Sequence, residues 1–121
     1  MIEKIEITGN DYKVEDGFRH YVEKRLGKLD RYLPRGSKKD AIVKVIVTEI
    51  GKSNKGEKYE ISVSMELTGG KVLAARDEST NVFAGVDLVE AKLTGQIRRY
   101  KLEVQPHRQK RSLKDLFIKR G

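Results

Sequence analysis

Residues Asn81–Glu103, NVFAGVDLVEAKLTGQIRRYKLE, decide the fold of this chain. At about 100° per residue, Val82, Val86, Val89, Leu93, Ile97 and Tyr100 gather on one stripe with Phe83 at its margin, the pattern of an amphipathic helix. On one flank of that stripe Lys92, Gln96 and Arg99 stand at i, i+4 and i+7, an edge able to follow a phosphate backbone. Just before the helix, Asp77, Glu78, Ser79, Thr80 and Asn81 offer its N-terminus negative charge and capping oxygens.

Toward the N-terminus the apolar period changes from helical spacing to alternation. Lys71–Arg76, with Val72, Leu73, Ala74 and Ala75, predicts a short strand, entered by a tight turn at Gly69-Gly70. Before it Tyr59, Ile61, Val63, Met65 and Leu67 alternate with polar residues, so one face of that strand is wet. Ala41–Ile50 sets Val43, Val45 and Val47 on one face and Ile42, Ile46 and Ile50 on the other, predicting a central or well-covered strand; Gly51–Gly56 reads as a loop. Asp16–Leu33 returns to helical spacing through Phe18, Val22, Leu26, Leu29 and Leu33, stopped by Pro34 and Gly36, with Arg25, Lys28 and Tyr32 along one flank. Met1–Thr8 makes a first strand, closed by the turn residues Gly9-Asn10-Asp11. The order β-α-β-β-β-α predicts an α+β sandwich: a four-stranded mixed sheet, its first two strands parallel across a helical crossover, with two helices packed on one face. In that sandwich the flank of Arg25 and Lys28 is expected beside the flank of Lys92 and Arg99, a cationic groove between the helices.

The 121 residues suffice for one domain, expected over residues 1–104, followed at 105–121 by a basic flexible tail or the start of a linker. Residues 1–91 hold 16 Lys+Arg and 16 Asp+Glu, whereas residues 92–121 hold 10 and 2, so the whole net charge of +8 sits at the C-terminal end. Such an excess calls for an anionic partner, nucleic acid or anionic lipid. Arg108, Lys110 and Arg111, beyond the helix-breaking Pro106, are expected to form an arm that orders on RNA. Leu113, Leu116 and Phe117 space like one turn of an amphipathic helix that docks on the domain, meets a partner or begins a linker.

Catalytic constellations are missing from the sequence. There is no cysteine, His20 and His107 have no metal or nucleophile partner in the pattern, and the glycines match neither phosphate-loop spacing. Asp77 and Asp87 would make an acid/base pair only at the expense of a better structural role near the positive end of a helix. The expectation is therefore no enzyme, no cofactor and no small-molecule substrate. No apolar run approaches the length of about 20 residues needed to span a membrane. Met1-Ile2-Glu3-Lys4 lacks a signal-peptide core, so the expected address is the cytoplasm, with no membrane partner.

Several segments resemble the ribosome hibernation promoting factors, the family that includes protein Y and ribosome-associated inhibitor A. Ile5-Glu6-Ile7-Thr8-Gly9-Asn10 is similar to the family's first strand and turn, and Val22–Tyr32, VEKRLGKLDRY, to its first-helix signature. Asn81-Val82-Phe83-Ala84-Gly85-Val86-Asp87 stands where the family has Asp-Met-Tyr-Ala-Ala-Ile-Asp, and Lys92-Leu93-Thr94-Gly95-Gln96-Ile97 where it has Lys-Leu-x-x-Gln-Leu. The resemblance covers roughly residues 2–104 and implies the same element order. It implies a non-enzymatic translation inhibitor that binds the small (30S) ribosomal subunit at the messenger and transfer RNA channel under stress. Its contacts to 16S ribosomal RNA would fall on Arg25 and Lys28 of the first helix and on Lys92, Gln96, Arg99 and Lys101 of the second. Gly85 and Gly95 depart from the family pattern and are expected to weaken the second helix, and Glu15 replaces a usual Ser or Thr cap. Long members carry a further domain, so this chain is expected to be a short member or a part of a long one. The competing readings are a double-stranded RNA-binding domain, whose lysine cluster would have to occupy the positions of Asp77, Glu78 and Asp87, and a small enzyme or interaction module working through the exposed sheet face.

Overall fold

A computed structural model describes residues 1–34, 40–53 and 56–104. The elements run β1 (Lys4–Asn10), α1 (Asp16–Gly27), a 3-10 helix (Lys28–Tyr32), β2 (Ile42–Ser53), β3 (Gly56–Glu66), β4 (Val72–Ser79) and α2 (Val82–Val104). The strands lie in the order β1-β2-β3-β4, with β1 parallel to β2 and both later pairs antiparallel. Val43, Val45 and Val47 of β2 and Ile61, Val63 and Met65 of β3 are buried on one face, together with Phe18, Val22 and Leu26 of α1 and Val86, Val89, Leu93 and Ile97 of α2. This is the expected sandwich, with both helices on one face. β2 is central as expected but is not covered on both sides, since Ile46 and Ile50 on the open face are 40% and 42% exposed.

Element ends depart from the sequence pattern where tertiary contacts decide them. The pattern from Asp16 to Leu33 is not one α-helix. It tightens to 3-10 geometry after Gly27, whose carbonyl accepts the Ile2 N–H at 2.9 Å. β2 and β3 continue into the expected loop, reaching Ser53 and Gly56, because Gly51 pairs with Lys58 beyond an irregularity after Glu49. β4 likewise runs past Arg76 to Ser79, which pairs with Tyr59. Asp77 and Glu78 therefore lie in a strand and do not cap α2. Asn81 does so, its Oδ1 accepting from Phe83 N at 2.9 Å and Ala84 N at 3.3 Å. The Gly69-Gly70 turn is as expected, both residues having the positive φ, 87° and 85°, that a side chain disfavours.

The two helix glycines turn out to differ. Gly85 is buried, and an added Cβ would meet Ile61 Cδ1 in hard contact with Ile61 Cγ1 3.1 Å away. Glycine there lets α2 settle onto β3. A Cβ at Gly95 meets nothing within 4 Å. Gly95→Ala should raise the unfolding free energy by about 0.5–1 kcal/mol through helix propensity alone. Gly85→Ala sets the same gain against an overpacking cost of about 1–3 kcal/mol and should destabilise. Adding Ile61→Val should recover part of that loss, as urea unfolding of the three variants would show.

Candidate nucleic-acid interface

Both flanks of α2 carry charge, and they face different neighbours. On one flank the Gln96 side chain lies along the outer edge of β4, where Nε2 donates to Ala74 O at 2.6 Å and Oε1 accepts from Ala74 N at 3.2 Å. The amide thus takes the place of a neighbouring strand. Lys92 Nζ stands beside it, donating to Arg76 O at 3.0 Å and lying 3.0 Å from Asp77 Oδ2. The ammonium holds the Asp77 carboxyl below its ordinary pKa, helped by the Glu78 N–H. Arg99 is exposed on the same flank.

The other flank faces α1. Arg25 Nε lies 3.6 Å from Asp87 Oδ1 and its NH1 3.9 Å from Glu90 Oε1, while the guanidinium sits 5.3 Å from the Tyr21 ring centroid. Tyr21 donates its hydroxyl to Asp87 at 2.6 Å, which raises the tyrosine pKa. Burial pushes the Glu90 carboxyl up, against the opposing pull of Arg25, Lys28 and Arg31. Further along, Tyr32 is approached by Arg31 at 5.0 Å and by Arg98, from α2, at 5.7 Å. A cationic surface thus runs from the 3-10 helix to α2: Arg31 and Arg98 meet at one aromatic ring, and exposed Lys28, like Arg31, lies near enough to act on Glu90.

The expected groove is corrected accordingly. Lys92, Gln96 and Arg99 do not line the space between the helices, because their flank is turned to β4. Arg25 is there, but it is tied to acidic residues of α2, while Asp87 and Asp77 serve as anchors for Arg25 and Lys92. Lys101 is exposed near the end of α2. Arg108, Lys110, Arg111, Leu113, Leu116 and Phe117 lie outside the described residues. Arg31, Arg76 and Arg98 do not stand out in the sequence pattern. A signal for Arg98 is nevertheless present, since consecutive helical residues project about 100° apart and Arg98 and Arg99 must serve different flanks.

Acid should loosen the Lys92 to Asp77 tie. Because the folded Asp77 pKa lies below its ordinary value of 3.8, its stabilisation is present above that pH and is lost as pH falls through the folded value. Glu90, raised from 4.5, has the opposite sign: its contribution is present below that pH and is lost as pH rises through its folded value. Asp77→Asn should therefore flatten the loss of stability below about pH 4, measured as urea midpoint against pH.

The family model for Sigma 54 modulation protein / S30EA ribosomal protein matches residues 5–105. The chain belongs to this family. A ribosome hibernation promotion factor from Staphylococcus aureus (strain COL) is 30% identical over 115 residues, covering 95% of this chain and 57% of the relative. The chain thus spans little more than half the length of that protein. Among solved structures, the N-terminal domain of Protein Y from Thermus thermophilus superposes with a TM-score of 0.67 at 27% identity, covering 81% of this chain and 99% of that one. A ribosomal subunit interface protein from Coxiella burnetii gives 0.62 at 26%, covering 82% and 98%. The resemblance drawn from the two helix segments is thereby confirmed at the level of family and fold.

Proposed function

We propose that this protein is a non-enzymatic ribosome hibernation factor that binds the small ribosomal subunit at the messenger and transfer RNA channel and inhibits translation by occupancy. The observation that carries this reading is the cationic surface of Lys28, Arg31 and Arg98, running from the 3-10 helix to α2, in a chain of this family. The spacing of its charges is set by packed helices, so ordering them on RNA phosphates costs little conformational entropy. Arg99 extends the surface past the far side of α2, and Arg25 and Lys92 contribute charge that is partly offset by their carboxylate partners. Gln96 supports the surface indirectly, by fixing α2 to the edge of β4. Arg108, Lys110 and Arg111 add further basic charge, and the cytoplasm is the compartment where the partner resides. The names of the relatives, a hibernation promotion factor and a ribosomal subunit interface protein, support the same reading.

The test is a titration into an in vitro translation reaction. An occupancy inhibitor saturates near one protein per ribosome and leaves ribosomal RNA intact. Inhibition at far lower ratios, or cleaved RNA, would replace this reading with a catalytic one.

A further inference from the structure

We propose that the outer edge of β1 is a self-association surface, on which a second copy of this chain adds its own β1 antiparallel, about a twofold axis at Ile5, joining two four-stranded sheets into one. The proposal goes beyond the ribosome-binding reading and does not rest on it. The two edges of the sheet are finished differently. At β4, Gln96 takes both backbone groups of Ala74 and Lys92 takes the Arg76 carbonyl, so α2 closes that edge. At β1 nothing comparable is found among the described residues. The strand pairs with β2 alone, in unbroken register from Lys4 to Asn10, and only Ile2, ahead of it, is tied to α1 through Gly27.

The side chains show the same missing cover. Ile5 and Ile7 stand opposite Val43 and Val45, which are 0% and 1% exposed, yet both isoleucines are only half-buried because no strand flanks them on the outer side. Beside them a groove of about 620 Å³ opens between β1 and α1, lined by Ile2, Ile5, His20, Glu23 and Lys24. An open strand edge next to an apolar groove suits an added strand, whose ladder bonds give affinity while alternate side chains fill the groove. Charge identifies the occupant. Lys4 and Glu6 flank Ile5 and share the open face, so an antiparallel copy centred at Ile5 sets Lys4 opposite Glu6 of that copy, twice, with Ile5 against Ile5. An edge lysine ordinarily discourages strand pairing, and this register neutralises it. Moving the axis to Glu6 would set that carboxylate against its own copy. Two copies also meet away from the excess charge, since residues 1–91 hold 16 basic and 16 acidic residues and the Lys92 flank of α2 lies at the opposite edge of the sheet.

The experiment is sedimentation equilibrium of the full chain, free of ribosomes, from micromolar to near-millimolar concentration. The expected result is a monomer–dimer equilibrium that stops at the dimer, because the β4 edge is already closed. Lys4→Glu should weaken it about tenfold, since both ion pairs become like-charge pairs, and Glu6→Lys should do the same. An equimolar mixture of these two variants should nevertheless form a heterodimer, in which every cross-strand pair is again of opposite charge. Lys4 and Glu6 are exposed, so neither substitution disturbs the core. Cysteine cross-linking reads the register, because the chain has no cysteine of its own. With the axis at Ile5, the two Cα atoms of that residue stand about 4.5–5.5 Å apart, within disulfide reach, whereas Ile7 and its copy are offset by about 13 Å along the ladder. Ile5→Cys should therefore cross-link under mild oxidation and Ile7→Cys should not. A monomer at every concentration, growth beyond the dimer, a dimer that Lys4→Glu leaves unchanged, a mixture no more associated than its components, or faster cross-linking through Ile7→Cys would each overturn the proposal.

Discussion

Alanine at Lys28, Arg31, Arg98 and Arg99 together should lower affinity for the small ribosomal subunit about a thousandfold, at roughly 1 kcal/mol for each exposed charge-assisted hydrogen bond to phosphate that the substitutions remove. All four side chains are exposed, and the contact of Arg98 with the Tyr32 ring lies at the surface, so the fold should survive. Loss of the guanidinium packing on Tyr32 should cost stability no more than about 1 kcal/mol. The salt dependence should change in parallel, because each phosphate no longer neutralised removes about 0.7–0.9 from the slope of log K against log salt. Lys92→Ala with Arg99→Ala should also abolish inhibition, but part of that effect will come from loosening β4, since Lys92 holds Arg76 and Asp77. Removal of residues 106–121 should weaken inhibition less than either set, because the charges proposed to carry binding lie within residues 28–99. Binding isotherms for the variants, with circular dichroism to check the fold, give the ranking.

Phe18→Ala should have the largest effect on stability. Phe18 is 2% exposed and stands in the middle of a run of edge-to-face rings, Tyr59, Tyr12, Phe18, Phe83 and Tyr21, with successive centroids 5.1–5.8 Å apart. Truncation leaves a cavity worth about 3–5 kcal/mol and breaks the run of rings at its midpoint. A domain of this size should then unfold about 12–20 °C lower. Phe18→Leu keeps most of the volume and should cost about 1.5 kcal/mol, so the difference between the two variants reports the cavity. The run matters for the site as well, because Phe18 and Tyr21 come from α1 and Phe83 from α2. It helps set the helix separation on which the surface around Tyr32 depends.

What the sequence made legible was whatever depends on local period. The stripe from Val82 to Tyr100, the alternation from Tyr59 to Leu67 and the Gly69-Gly70 turn each point to one element and one buried face, and four strands with two helices have few ways to close. Contacts between elements were not legible. Nothing local marks Gly27 as the place where Ile2 crosses, or shows that Gly85 yields its space to Ile61. The helix wheel showed that Lys92, Gln96 and Arg99 share a flank, but not that the flank would turn to the edge of β4. Arg76 was hidden for the same reason: a lone arginine within a strand gives no local sign that α2 will bring Lys92 to its carbonyl.

Binding to the small ribosomal subunit is most directly tested by sedimentation of the protein with separated small and large subunits through sucrose gradients at low and at high salt. The protein should travel with the small subunit at low salt, stay at the top of the gradient with the large subunit alone, and leave the small subunit as salt rises. Migration with the large subunit only, failure to leave the top of any gradient, or small-subunit binding indifferent to salt would contradict a hibernation factor that works through its cationic surface.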